Sequence, residues 1–147
     1  MALGLVGLWV EPGDRVVLLA NTRPEWTFSS LAISRAGAVV VPIYPTNSPE
    51  ECEWVLGNSD SRVVICEDAG QAAKIEQVRE RLDDLEHVVL MEADASKNEL
   101  SIESLRSRGQ GGDRSELEHR CEAVSPGDPY TIIYTSGTTG PPKGVVL

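Results

Sequence analysis

Short apolar runs recur along the chain at positions 16–20, 38–43, 63–66, 87–91 and 131–134. They are rich in Val and Ile, and most are apolar at every position instead of alternating. That pattern predicts strands covered on both faces, as in a parallel sheet. Turn residues precede the first and last of them, at Pro12-Gly13-Asp14 and Pro126-Gly127-Asp128-Pro129.

The stretches between the runs predict helices. Positions 2–9 resemble a helix already under way. Pro24 and Glu25 suit a first helical turn, and Gly37 a stop. Ser48-Pro49-Glu50-Glu51 is a strong start signal, with Ser48 as N-cap, Pro at the first position and acids at the positive end of the dipole. Over 69–85, Ile75, Val78, Leu82 and Leu85 fall on one stripe, while Lys74, Glu76, Arg79, Glu80 and Arg81 take the other face. Short helices are expected at 101–107 and 115–122, around the break Gly109-Gln110-Gly111-Gly112. Residues 144–147 read as a further strand. Strands alternating with helices predict an α/β layered fold, a mainly parallel sheet flanked by helices. Both chain ends read as cut from a longer protein. An unpaired sheet edge is then expected at 145–147.

Composition narrows the function classes. The 147 residues are 41% hydrophobic and 24% charged, ordinary for a globular protein, and the net charge is −10. So acidic a chain repels phosphate backbones, which argues against nucleic acid as a general partner. No apolar run reaches membrane-spanning length, and the early run ending at Val10 lacks the basic flank and cleavage site of a secretory signal. Cys52, Cys66 and Cys121 form no CxxC pair, so neither a disulfide framework nor a metal site is expected. A reducing cytoplasm fits best, with each cysteine a buried or half-buried small side chain.

One segment carries chemistry: Tyr134-Thr135-Ser136-Gly137-Thr138-Thr139-Gly140-Pro141-Pro142-Lys143-Gly144. It follows a strand directly. Glycines allow close backbone approach to a ligand. Hydroxyls donate to phosphate oxygens, and a lysine brings a flexible point charge. The sum is a polyphosphate cradle. It is not a Walker A loop: Gly137 and Gly140 are too close, Lys143 precedes Gly144, and Pro141-Pro142 disfavours the helix such a loop enters. A plain hydrophilic turn between two strands has the same composition but not this ordered string.

That string resembles the signature loop of the AMP-forming adenylating enzymes: acyl-CoA synthetases, luciferase-type ligases and the adenylation domains of peptide synthetases. Arg35-Ala36-Gly37-Ala38-Val39-Val40-Val41-Pro42-Ile43 resembles an earlier core motif of the same superfamily. Gly13-Asp14-Arg15-Val16, Arg23-Pro24-Glu25-Trp26, Pro42-Ile43-Tyr44-Pro45-Thr46 and Ser48-Pro49-Glu50-Glu51 look like the long-chain fatty acid–CoA ligase branch. The resemblance implies that residues 1–147 are part of the large N-terminal domain of such a synthetase, with the C-terminal domain absent. It implies a two-step reaction. A fatty acid carboxylate attacks the α-phosphorus of ATP to give acyl-adenylate and pyrophosphate, and the thiol of coenzyme A then displaces AMP.

In that scheme Thr135, Ser136, Gly137, Thr138, Thr139, Gly140 and Lys143 match the loop that holds the β- and γ-phosphates. The Mg2+ ligands, the adenine and ribose contacts and the main catalytic residues are expected beyond residue 147, so this chain alone should lack turnover. Implied partners are fatty acid, ATP and coenzyme A, in the cytoplasm or in peripheral contact with a membrane. Two other readings stay open: an adenylating ligase for an aryl, amino or short-chain acid, and a non-catalytic binding module that keeps the fold.

The remaining candidates read as structural. His87 and His119 complete no Ser–His–Asp or Cys–His set. Trp9, Trp26 and Trp54 lie on helical stretches and are expected to pack on the sheet. Tyr44-Pro45-Thr46, which follows a buried strand, is left out of the site.

Overall fold

The computed structural model describes residues 1–93, 100–136 and 140–147. Six helices and six strands are described: α1 (Ala2–Val6), β1 (Arg15–Leu19), α2 (Pro24–Arg35), β2 (Val39–Ile43), α3 (Pro49–Asn58), β3 (Val63–Cys66), α4 (Ala69–Val78), β4 (His87–Leu90), α5 (Ile102–Gly109), α6 (Arg114–Ala123), β5 (Ile132–Thr135) and β6 (Lys143–Val146). Strands β1–β4 form one sheet in the order β2-β1-β3-β4, and every pair in it is parallel. The expected α/β layered fold is therefore present.

Alternation along the strands sends side chains to two separate cores. Val16, Leu18, Val40, Ile65 and Val89 meet Leu5, Ile33, Ile102 and Leu105 on the face covered by α1, α2 and α5, with Leu117 of α6 at its margin. Val17, Leu19, Val41, Val64 and Cys66 meet Cys52, Val55, Leu56 and Ile75 on the face covered by α3 and α4. Neither face is wet, which is why these strands are apolar at nearly every position, Arg15 and His87 at the starts of β1 and β4 excepted. Each such Val, Ile or Leu buried stabilises the fold by about 1.5–3 kcal/mol.

Helix starts follow local chemistry. Ser48 and Glu51 form a reciprocal capping box: Glu51 N–H donates to Ser48 Oγ at 3.2 Å, and Ser48 N–H to Glu51 Oε2 at 2.8 Å. Asp68 caps α4 by accepting from Gln71 N–H at 2.8 Å. Gly37, with φ of +83°, follows the end of α2.

Four expectations need correction. The helix at 2–9 ends at Val6, and Trp9 stands in the left-handed region at φ +62°. The 69–85 stripe is not one helix: α4 stops at Val78, and a 3-10 turn (Arg79–Arg81) delivers Leu82 and Leu85 to the same core. The run at 131–134 is not a fifth parallel strand. Only Thr131 bridges β2, at Val40, while β5 pairs antiparallel with β6. Nor do 145–147 form an edge of the parallel sheet; they pair on one side with β5. Val145 and Val146 oppose Ile133 and Ile132, and Leu147 N–H donates to Thr131 O at 3.0 Å. A nearby partner strand across the loop satisfies those backbone groups more readily than the distant sheet edge does.

Candidate functional site: a glycine-rich loop at the carboxyl edge of the sheet

Because β1–β4 are parallel, their carboxyl ends share one edge. Strand order reverses there between β1 and β3, since the chain runs from β1 outward to β2 and then back past β1. In open α/β sheets, ligands lie outside such ends. Here the edge is tied together by Arg23, which follows β1. Its guanidinium donates to Glu25 at 2.7 Å, to Glu67 after β3 at 3.4 Å, and to Glu92 after β4. Asn21 donates twice to the other carboxylate oxygen of Glu67, from its backbone N–H and its side-chain amide, each at 2.8 Å. Arg23's hydrogen bond holds the Glu25 carboxyl below its ordinary range. These acids are committed to fixing the loops. Among the described residues no group of three or more His, Cys, Asp or Glu is placed to hold a metal.

Beside this network lies a cleft of about 430 Å³. Its walls include Ala20 and Trp26 from the β1 side, Tyr44, Pro45 and Thr46 from the β2 end, and Ile133 and Tyr134 from β5. Tyr44-Pro45-Thr46, set aside on sequence grounds, thus borders the same opening as the first residue of the signature string. No local signal marks this: the neighbours are about ninety positions away in sequence.

The glycine- and hydroxyl-rich loop joins β5 to β6. Tyr134 opposes Gly144, and Thr135 opposes Lys143. The hairpin register therefore brings the first hydroxyl of the loop level with its lysine. Thr135, Ser136, Gly140 and Lys143 are all exposed, and Gly140 adopts φ of +87°. Gly137, Thr138 and Thr139 lie outside the described residues. The described donors fit a phosphate: two hydroxyls and an ammonium on a solvent-facing loop. That the loop runs from one strand to another could be anticipated from its flanking apolar runs. The antiparallel pairing could not.

Two residues that sequence reasoning missed touch this loop from α3. Trp54 Nε1–H donates to Pro142 O at 2.9 Å. Tyr134 O–H donates to Asn58 Oδ1 at 2.7 Å, and burial pushes the Tyr134 phenol above its ordinary pKa. Trp54 and Trp9 do not pack into the sheet as expected, being 40% and 78% exposed, whereas Trp26 does pack against the first core. Cys52 and Cys66 are buried as expected, but Cys121 is exposed.

A model of one family, described as AMP-binding enzyme, matches residues 1–147. The chain belongs to that family. A long-chain-fatty-acid–CoA ligase of Mycobacterium bovis, FadD15, is 40% identical over 146 residues, which cover 99% of this chain and 24% of that protein. The rat long-chain-fatty-acid–CoA ligase ACSBG1 is 33% identical over 150 residues, covering 21% of its length. Among solved structures, an anthranilate CoA ligase, AuaEII, in complex with anthranoyl-AMP matches with a TM-score of 0.82 and 30% identity. A Mycobacterium tuberculosis fatty acyl CoA synthetase matches with a TM-score of 0.73 and 27% identity. Each covers 99% of this chain, and this chain spans 27% of each. The chain thus spans about a quarter of the length of the family members it matches. No helix among the described residues is long and apolar enough to cross a membrane.

Proposed function

We propose that this chain is the N-terminal part of the large domain of a long-chain fatty acid–CoA ligase, and that its β5–β6 loop holds the β- and γ-phosphates of ATP. The observation that carries the reading is the loop itself. Thr135, Ser136, Gly140 and Lys143 stand exposed on the β5–β6 hairpin beside the carboxyl-edge cleft. The chain around it is 40% identical to a long-chain ligase along nearly its whole length.

Thr135, Ser136, Gly137, Thr138, Thr139 and Gly140 would direct hydroxyl and backbone donors at the phosphate oxygens, and Lys143 would neutralise charge growing on the departing pyrophosphate. Donors already in place stabilise that charge without reorganising as it forms. Mg2+ would share this charge, through ligands outside residues 1–147. Adenylation requires adenine, ribose, carboxylate and phosphates held in one reactive geometry. The 147 residues alone are therefore expected to release no AMP above a protein-free control.

The test is Lys143→Ala in the full-length ligase. ATP–pyrophosphate exchange should slow by about a hundredfold. An unchanged exchange rate would remove Lys143 from the reading.

A second reading has one observation in its favour. The TM-score of 0.82 belongs to a ligase of an aromatic acid, anthranilate. Comparing palmitate with benzoate-type acids as substrates of the full-length protein separates the two. Preference for the aryl acid would replace the long-chain assignment while leaving the phosphate loop in place.

A further inference from the structure

The phosphate loop is gripped on both limbs by one helix. Trp54 and Asn58 are four positions apart on α3, and so lie one turn from each other on a single face. Asn58 accepts from the phenol of Tyr134, on the limb that enters the loop, at 2.7 Å. Trp54 donates to the carbonyl of Pro142, on the limb that leaves it and next to Lys143, at 2.9 Å. Pro142 has no N–H of its own, so its carbonyl is the one backbone group through which that position can be tethered.

The helix is a firm base for such a grip. Cys52, Val55 and Leu56 bury its other face in the second core. The capping box secures its start. Lys74 donates to the carbonyls of Pro45 and Asn47 just ahead of it, at 2.7 and 2.9 Å. Arg15 holds the turn after its end, donating to Ser59 O at 2.5 Å and Asp60 O at 3.0 Å. Arg81 pairs with Glu53 on the helix itself at 2.9 Å. By contrast, β6 is exposed along its whole length, so the limb that carries Lys143 gains little order from its own burial.

We propose that Trp54 and Asn58 are positioning residues that seat the phosphate loop, and with it Lys143, in the arrangement that receives a polyphosphate. The inference rests on reading that loop as the phosphate site. Neither residue touches the phosphates. Each acts by raising the share of molecules whose loop stands ready. A site ready only part of the time binds with an affinity reduced by that fraction. Loss of a tether therefore raises the KM for ATP and leaves kcat at saturating ATP near its original value.

The experiment measures ATP–pyrophosphate exchange in the full-length enzyme. Trp54→Phe keeps the ring and removes the N–H donor. Asn58→Leu removes the acceptor, and Asn58→Asp restores one. Trp54→Phe and Asn58→Leu should each raise KM for ATP about fivefold, with kcat and the melting temperature little changed. Asn58→Asp should return KM most of the way. If Asn58→Leu fails to fold, Tyr134→Phe cuts the same bond from the loop side and is read in the same way.

Lys143→Ala runs in parallel. Slowed exchange in Lys143→Ala, with wild-type KM in Trp54→Phe and Asn58→Leu, overturns the positioning role and leaves the phosphate reading intact. Normal exchange in Lys143→Ala removes Lys143 from the phosphate reading, and with it the seating of Lys143 assigned to α3. A fall in kcat with KM unchanged in the α3 variants also overturns the positioning role, because it would place those residues in the chemical step.

Discussion

Gly4 of α1 lies against the backbone carbonyl of Leu105 in α5, so that a β-carbon at position 4 would stand 2.0 Å from that oxygen. The contact runs both ways: a β-carbon on Gly109 would stand 2.9 Å from Gly4 N. Two helices far apart in sequence meet backbone to backbone over the first core. Neither backbone can give way cheaply, since α5 is capped at Ser101 and buries Ile102 and Leu105. Gly4→Ala should therefore destabilise the chain by about 2 kcal/mol. Denaturant titration measures this, and an unchanged midpoint would show that α1 and α5 separate freely.

Gly140 presents a different constraint. A β-carbon there meets nothing within 4 Å, but the backbone sits at φ +87°, where side-chain-bearing residues are strained. Gly140→Val should redirect the exposed loop while leaving the core untouched. The melting temperature should fall by no more than about 3 °C, and ATP–pyrophosphate exchange in the full-length protein should drop well below that of the parent. A large loss of stability with normal exchange would make Gly140 a purely structural turn residue.

The cysteines divide by burial. Burial pushes the Cys66 thiol up to about 12 and the Cys52 thiol up to about 11. Both also lie in the second core. Cys121 is exposed. Since the thiolate is the reactive form, a thiol reagent at about pH 8 should modify one cysteine in the native chain and all three in denaturant. Fast native reaction of a second thiol would mean that α3 or β3 opens readily.

His87 couples stability to pH. Burial at the start of β4 lowers its pKa below the ordinary imidazole value, against an opposing pull from Glu86. The folded chain then binds fewer protons than the unfolded chain over the window between the two values. Stability is accordingly full above about 6.5 and is lost as pH falls through the folded value. His87→Gln should flatten that slope. An NMR titration placing the folded His87 above the unfolded value would reverse the sign.

Much of this protein was legible in residue order alone. Runs such as 63–66, apolar at every position, specify a strand covered on both faces because a wet face cannot tolerate four consecutive apolar residues. Ser48-Pro49-Glu50-Glu51 specifies a helix start because each partner of the capping box lies within one turn. The donor-rich character of the β5–β6 loop was legible too, since glycines, hydroxyls and a lysine are adjacent along the chain. Local interactions carry all of this, and local interactions leave patterns in sequence.

What depended on distance was decided only by the tertiary structure. Whether β5 would extend the parallel sheet or fold back on β6 turned on loop closure and backbone pairing, which apolar content does not report. The meeting of Trp54 with Pro142 spans 88 positions, and that of Asn58 with Tyr134 spans 76. An indole on a helix carries the same signal whether it packs on a sheet or reaches for a carbonyl. Packing of α3 against the sheet brought its outer face beneath the loop, and only that placement turned two ordinary helix residues into the loop's supports.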